Sequence, residues 1–341
     1  MKKSFEDLMA IADRLAAGQN RLKDTILKEV LHADILMALQ KSELGKSLVF
    51  QGGTALRMCY GNQRYSEDLD FVRNAPLNPD HFENFKEALK TSIAERHELN
   101  VRITDPKRPL EERTSDNSVV VHRWTATIEI ENPSAKNQKI HIEVADIPAY
   151  DARPRMINSP YAQFGAGSVM LNVSSEKEIL ADKVIAVAGR DYIKARDIWD
   201  IKWLRDKGVE LNHDWVRHKA VDYHLVNGSD MSPLISRLKQ RTQDLALPET
   251  HKKFVDEMSR FLAMDQANTW LSDDYTSLGL IKDVSDFLED QLPKLEAPAP
   301  ISPSQHTNLS AREQEIKEWR ERMAVERDTS EDNGKDLPKI R

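Results

Sequence analysis

Two aspartates, Asp68 and Asp70, stand two residues apart in Tyr65-Ser66-Glu67-Asp68-Leu69-Asp70-Phe71-Val72, where Leu69 and Phe71 alternate with the acids. That period of two reads as a strand with apolar side chains on one face and carboxylates on the other. Both carboxylates then point to one side, within reach of a shared pair of divalent ions. Magnesium prefers hard oxygen ligands and is commonly held by one or two protein carboxylates completed by substrate phosphates. Two such ions about 3.5–4 Å apart activate an attacking hydroxyl and stabilise a leaving pyrophosphate. Upstream, the β-prone run Ser47-Leu48-Val49-Phe50-Gln51 stops at Gly52-Gly53-Thr54, where a short helix to Tyr60 begins. A glycine pair at a helix start lets backbone N–H groups cradle a triphosphate. Thr54 and Ser66 are further nucleotide-binding candidates beside it. Alone, an Asp-x-Asp reads as a solvated strand face and a Gly-Gly as a turn. Strand, glycine turn, helix and acidic strand in one compact unit point instead to triphosphate chemistry.

Further along, Ile140, Ile142 and Val144 share one face of a strand and Glu143 lies on the other, matching the geometry of the aspartate pair. Glu143 is therefore the first candidate for a third carboxylate. Asp146 has the parity of the apolar positions at the strand's end and ranks second. His141 shares Glu143's face, but imidazole suits an oxygen-rich magnesium site poorly. Lys183 and Arg190 are two helical turns apart, so they fall on nearly the same face and offer a point charge and a forked donor to a polyphosphate. Asp197 and Asp200 share a helical face and are placed to orient those cations or shape a pocket. From pattern alone these pairs read equally as surface salt bridges.

The elements that must position these residues follow from periodicity. Residues 4–44 read as helical, with Leu8, Ile11, Leu15, Leu22, Ile26 and Val30 at helical intervals and a break at Gly18-Gln19-Asn20. Residues 80–97 suit a helix with Phe82, Phe85 and Leu89 along one side. Val101–Ile103, Ser118–Ile130 and Lys139–Val144 are strand-like, the last two flanking an Asn132-Pro133-Ser134 turn. From Ser174 the chain becomes helical, opened by the capping-box pair Ser175 and Glu178 and continuing to about residue 292. Ala297–Ser304 is a Pro/Ala/Ser linker, Ala311–Arg327 a charged helix with Ile316, Trp319, Met323 and Val325 to bury, and the last dozen residues read as disordered. The expected fold is α+β. An N-terminal helical segment (1–44) precedes a mixed-sheet core with flanking helices (45–173) and a helical domain (174–292). A linker, charged helix and tail (293–341) complete the chain.

Composition bounds the function. The chain has 341 residues, 40% of them hydrophobic, and a net charge of −7, so any nucleic-acid contact needs a local basic patch. Arg64 and Arg153-Pro154-Arg155 are small candidates, although each also reads as ordinary surface charge. The single cysteine, Cys59, precludes an intrachain disulfide and reads as a buried thiol rather than a nucleophile. Trp199 and Trp203 read as core anchors. With neither a signal peptide nor an apolar run long enough to span a bilayer, the expected location is the cytoplasm, without membrane contact.

Phe50-Gln51-Gly52-Gly53-Thr54-Ala55-Leu56 followed by Arg64-Tyr65-Ser66-Glu67-Asp68-Leu69-Asp70-Phe71 resembles the AbiEii/AbiGii toxin family of nucleotidyltransferases, within the polymerase-β-like superfamily. Ala181-Asp182-Lys183, Arg190 and Ala195-Arg196-Asp197-Ile198-Trp199-Asp200 are similar to the family's second block. The resemblance covers roughly residues 45 to 205, and the charged insert Pro106–Asn117 departs from it. It implies a polymerase-β-like core whose two Mg²⁺ ions are held by Asp68, Asp70 and a third acid, Glu143. It implies NTP bound through Gly52, Gly53, Lys183 and Arg190, and active-site roles for Lys183 and Asp200. It further implies a toxin of a type IV toxin–antitoxin or phage-defence pair, with a separate antitoxin protein and an RNA acceptor, notably the 3′ end of tRNA. Two alternatives stand beside it: NMP or kinase-like transfer to a protein hydroxyl, and a non-catalytic binding protein that keeps the fold.

Overall fold

Apolar side chains at every second position of Leu48–Phe50, Leu69–Phe71, Trp124–Ile128, Ile140–Val144 and Val169–Val173 all join the main core, so the strands that carry them line up with one buried face. The computed structural model describes residues 5–19, 22–73, 77–107, 121–130, 136–161 and 167–297. Helices α1 (Phe5–Ala16), α2 (Lys23–Lys41) and α3 (Leu44–Ser47) lead into β1 (Leu48–Gln51), α4 (Gly52–Tyr60), β2 (Leu69–Arg73) and α5 (Pro79–His97). Then come β3 (Asn100–Thr104), β4 (Val121–Glu129), β5 (Gln138–Pro148), β6 (Ala152–Asn158) and β7 (Ser168–Ser174). The remaining elements are helical: α6 (Glu176–Gly189), α7 (Ala195–Asp206), α8 (His213–Asp222), α9 (Ser232–Leu245), α10 (Pro248–Met258), α11 (Met264–Leu271) and α12 (Asp274–Glu296).

The seven strands form one mixed sheet in the order β3-β4-β5-β2-β1-β7-β6. β2 lies antiparallel to β1 and parallel to β5, so Gln51, Asp70 and Glu143 stand side by side across three strands. Helices α2 and α5 pack together, α2 against β5 and β7 and α5 against β3. The mixed α+β class is as expected from the sequence. Three of its elements differ. The strand read over Tyr65–Val72 begins only at Leu69, because the β1 ladder ends at Gln51–Asp70 and the preceding backbone bonds elsewhere: Tyr65 N–H donates to Phe261 O (2.8 Å) and Ser66 N–H to Glu29 (2.8 Å). Asp68 thus sits immediately before the strand. β5 runs on to Pro148, and the β6–β7 hairpin, which places β7 beside β1, is not among the elements that periodicity predicts. Arg153, Pro154, Arg155 and Met156 of edge strand β6 are all exposed, which leaves no alternation to read there, whereas Val169, Leu171 and Val173 give β7 the period of two.

Ser175 caps α6 as expected, accepting from Glu178 N–H (3.2 Å). The reciprocal half of the capping box is missing: Glu178 instead accepts from the N–H groups of Tyr150 (2.8 Å) and Asp151 (2.6 Å) and pairs with buried Lys219 (2.9 Å). Asn20, most of the Pro106–Asn117 insert, residues 118–120, the Asn132-Pro133-Ser134 turn and everything from 298 onward, including the linker, charged helix and tail, lie outside the described residues. Among the described residues no helix is long and apolar enough to cross a membrane.

Helix α2 is buried on all sides, so its polar residues need partners. Thr25 (3.1 Å) and Lys28 (3.2 Å) bond the Glu67 carboxylate, and His32 Nε2 donates to the Glu67 carbonyl (3.1 Å). Glu29 accepts from Ser66 N–H, Tyr161 and Arg57. This helix thereby holds the loop that presents Asp68. Burial pushes the His32 imidazole down to about 4, so the folded protein resists a proton that the unfolded chain accepts near 6.5. His32's contribution to stability is complete above that value and disappears as pH falls toward 4, at most about 3 kcal/mol. Urea unfolding of His32→Gln between pH 7 and 4.5 is expected to show a shallower loss than the wild type; equal slopes would contradict this reading.

Candidate active site

Asp70 and Glu143 are cross-strand partners on adjacent parallel strands, and so point from the same face. Their face is the one that carries Val49, Val72 and Ala145, opposite the main core. Asp68 joins them from the loop, its carbonyl held by the fully buried Thr54 hydroxyl. Burial, then the charges of Glu143 and Asp68, push the Asp70 carboxyl up to about 6. Burial likewise raises Asp68, opposed by Arg196 and His141. Arg123 pairs with Glu143 (2.7 Å), but neighbouring carboxylates around buried Asp70 remain unfavourable, and a divalent cation is a species that would relieve them. Among the described residues no three acidic, histidine or cysteine side chains converge tightly enough to hold an ion unaided. The all-oxygen donor set therefore fits magnesium held by two carboxylates and completed by phosphate oxygens.

Both glycines answer to a close approach. Gly52 has φ +76°, and a Cβ there would collide with Asp70 Oδ2. A Cβ at Gly53 would collide with the Arg64 guanidinium. Helix α4 starts at this step without a side-chain cap, so its first N–H groups are unclaimed by its N-cap residue, Gln51.

Arg64 is buried, at 2% exposure, rather than a surface charge. Its Nε and Nη2 donate to the two Asp200 oxygens at 2.7 and 2.6 Å. Asn62 Nδ2 adds a third bond to Asp200 (2.8 Å), and Lys183 Nζ a fourth contact (2.8 Å). Lys183 also bonds Asp197 (2.8 Å), whose other oxygen takes Arg190. The Lys183 pairs are thus interior, not the surface bridges that pattern alone allowed, while Arg190 reaches buried Asp197 from a partly exposed position. Burial opposes every charge here, yet the partners prevail: Lys183 and Arg190 hold Asp197 well below the usual carboxylate range, Arg64 and Lys183 lower Asp200, and Asp197 and Asp200 raise Lys183. Asp200 is fully buried and bonded by three residues. Lys183 keeps one of its three N–H donors beyond these two carboxylates.

The remaining candidates find their partners elsewhere in the fold. Thr54 and Ser66, the further nucleotide-binding candidates, bond each other through their hydroxyls (2.8 Å), which ties the start of α4 to the loop before β2. Asp146 pairs with Arg73 (2.8 Å) at the sheet's rim, because the register shifts between Val72 and Arg73. Arg155 donates to Cys59 O (3.2 Å) and covers the Tyr60 ring, and Arg153 faces Asp151 (3.5 Å), so this patch closes the end of α4. Trp199 is a core anchor whose Nε1 donates to Asn62 (3.1 Å). Burial pushes the Cys59 thiol up to about 12, far from nucleophilic. Sequence reasoning misses Asn62 and assigns no role to Lys194 and Arg196, whose charges act on Glu143 and on the aspartates. The available signal is the recurrence of cations at Arg190, Lys194 and Arg196 within seven residues. Arg123 also goes unassigned, and pairs with Glu143 (2.7 Å).

Comparison with known proteins adds a family. A family model described as nucleotidyl transferase AbiEii toxin, type IV toxin–antitoxin system, matches residues 34–277. A search of curated proteins finds no significant match. Similar solved structures include JHP933 from Helicobacter pylori, with 17% identity over 85% of this chain and 97% of that one and a TM-score of 0.43. Another is MenT4, a nucleotidyltransferase toxin from Mycobacterium tuberculosis, with 18% identity over 85% and 99% of the two chains and a TM-score of 0.45.

The two kinds of carboxylate separate by their stability. Asp200→Ala strands two buried cations and is expected to cost about 3–5 kcal/mol. Asp70→Asn removes a repelled charge and is expected to leave stability unchanged or raise it. Urea unfolding at pH 7.5 checks both, and similar destabilisation by the two variants would overturn the distinction.

Proposed function

Because the chain belongs to the AbiEii family of nucleotidyltransferase toxins, we propose that it transfers NMP from an NTP to the 3′ end of an RNA, with tRNA as the acceptor, on a site holding two Mg²⁺ ions. The observation that supports this most is the register that sets Asp70 beside Glu143, with Gly52 against Asp70. Asp68, Asp70 and Glu143 would hold the ions, which when bound neutralise triphosphate charge and activate the attacking hydroxyl. The N–H groups of Gly52 and Gly53 receive phosphate oxygens at the start of α4. Lys183, through its remaining donor, and the cations Arg190, Lys194 and Arg196 line the other side of the triphosphate. Asp200 and Asp197 fix those cations in place. The acceptor hydroxyl bonds the α-phosphorus as the bond to pyrophosphate breaks.

In this reading the core spans residues 45–173 and the helices of 174–292 supply the cations. The reaction draws on cytoplasmic NTP and RNA, and the cognate antitoxin of the type IV pair restrains it. Purified protein incubated with each α-labelled NTP, Mg²⁺, total RNA and cell extract is expected to label RNA. Asp70→Asn is expected to lower the rate more than about 100-fold, beyond the cost of losing an outer-sphere partner. Label on protein alone would replace the RNA acceptor with a protein hydroxyl. Absence of Mg²⁺-dependent transfer from every NTP would sink the proposal.

A further inference from the structure

The segment 190–194 between α6 and α7 has two sides. On one, Arg190 and Lys194 join the cations around Asp197. On the other it borders a cavity of about 670 Å³, within the range that holds a nucleoside-sized ligand. The floor of that cavity is apolar, with buried Ile198 of α7 and Phe254 of α10. Tyr192 stands at its rim with 62% of its surface exposed. Lys253 and Arg260 line it and form no ion pair among the described residues.

The cavity wall and the active-site segment are one piece. Arg241 of α9 pairs with Asp244 (2.7 Å) and donates to the carbonyls of Val187 (3.3 Å) and Arg190. Glu257 accepts from Ala195 N–H (3.2 Å) and pairs with Arg196 (3.3 Å), the cation beside the aspartates. An exposed aromatic ring at the rim of an apolar cavity suits a base, since every base offers a π-face for stacking. The carboxylates of Asp191, Glu249 and Asp256 on the lining suit the amino groups of a base, while Lys253 and Arg260 suit its carbonyl oxygens.

We propose that this cavity is a nucleobase subsite in which Tyr192 provides the stacking face. The inference rests on the nucleotidyl-transfer reading. The base belongs either to the incoming NTP or to the terminal nucleotide of the acceptor, and the test separates the two. Equilibrium binding of a non-hydrolysable NTP analogue and of a short single-stranded oligoribonucleotide is measured on the full chain as wild type, Tyr192→Ala and Tyr192→Trp. Tyr192→Ala is expected to weaken one of the two ligands roughly 5- to 100-fold, while Tyr192→Trp retains wild-type affinity. Loss for the analogue assigns the donor's base, and loss for the oligonucleotide assigns the acceptor's. Affinities within twofold of wild type for both ligands overturn the subsite, as does a wild type that binds neither. Binding is read without turnover, so the two ideas fail separately. Label transfer with unaltered Tyr192→Ala binding removes the subsite alone, and weakened Tyr192→Ala binding without label transfer removes the activity alone.

Discussion

Asp200 is the point on which the site's geometry depends. One fully buried carboxylate collects Arg64, Lys183 and Asn62, and those three residues belong to α6 and the loop after α4. Desolvating so many charges is tolerable only when each lone pair and proton finds a partner, and here the partners are supplied by segments far apart in sequence. The consequence is positional. With α7 locked to the 62–68 loop, Asp197 is carried to Lys183 and Arg190, and Arg196 is carried toward the aspartates. Gly53 follows from the same arrangement, because the Arg64 guanidinium occupies the space its side chain would need.

The acid face is built on the opposite logic. Asp68, Asp70 and Glu143 repel one another, and burial strengthens that repulsion rather than screening it. A fold keeps such an arrangement only if the surroundings hold it rigidly, and they do. The β2–β5 register fixes two of the acids, while Thr54 and the polar residues of α2 fix the loop that bears the third. On one side Lys183, Arg64 and Arg190 are paired with Asp197 and Asp200, whereas on the other Arg123 reaches only Glu143, and Asp68 and Asp70 stay raised by burial and by neighbouring carboxylates. That polarity accords with membership of a nucleotidyltransferase family.

Much of this is legible in the sequence where periodicity carries the information. The alternation through Leu69–Phe71 and Ile140–Val144 is enough by itself to put Asp70 and Glu143 on one face, and the glycine step marks a close approach. What stays hidden is long-range pairing. Arg64 reads as a surface charge because its partner lies 136 residues away. Thr54 and Ser66 have nucleotide-binding chemistry, yet they use it on each other. In the β6–β7 hairpin only β7 alternates, through Val169, Leu171 and Val173, whereas the exposed run Arg153–Met156 of edge strand β6 has no buried face to impose a pattern. Asp68 falls outside its strand because β1 ends at Gln51, a limit set by a neighbour rather than by the residues themselves.

The central claim is that mutual repulsion among the three acids is held in reserve for divalent cations. Unfolding free energy measured against Mg²⁺ concentration, with and without a non-hydrolysable NTP analogue, tests it most directly. The account predicts that the wild type gains stability with Mg²⁺ as a ligand of the folded state must, more so with the analogue present, and that Asp70→Asn loses that gain. An equal gain in the two proteins, or none in the wild type with the analogue present, would contradict it.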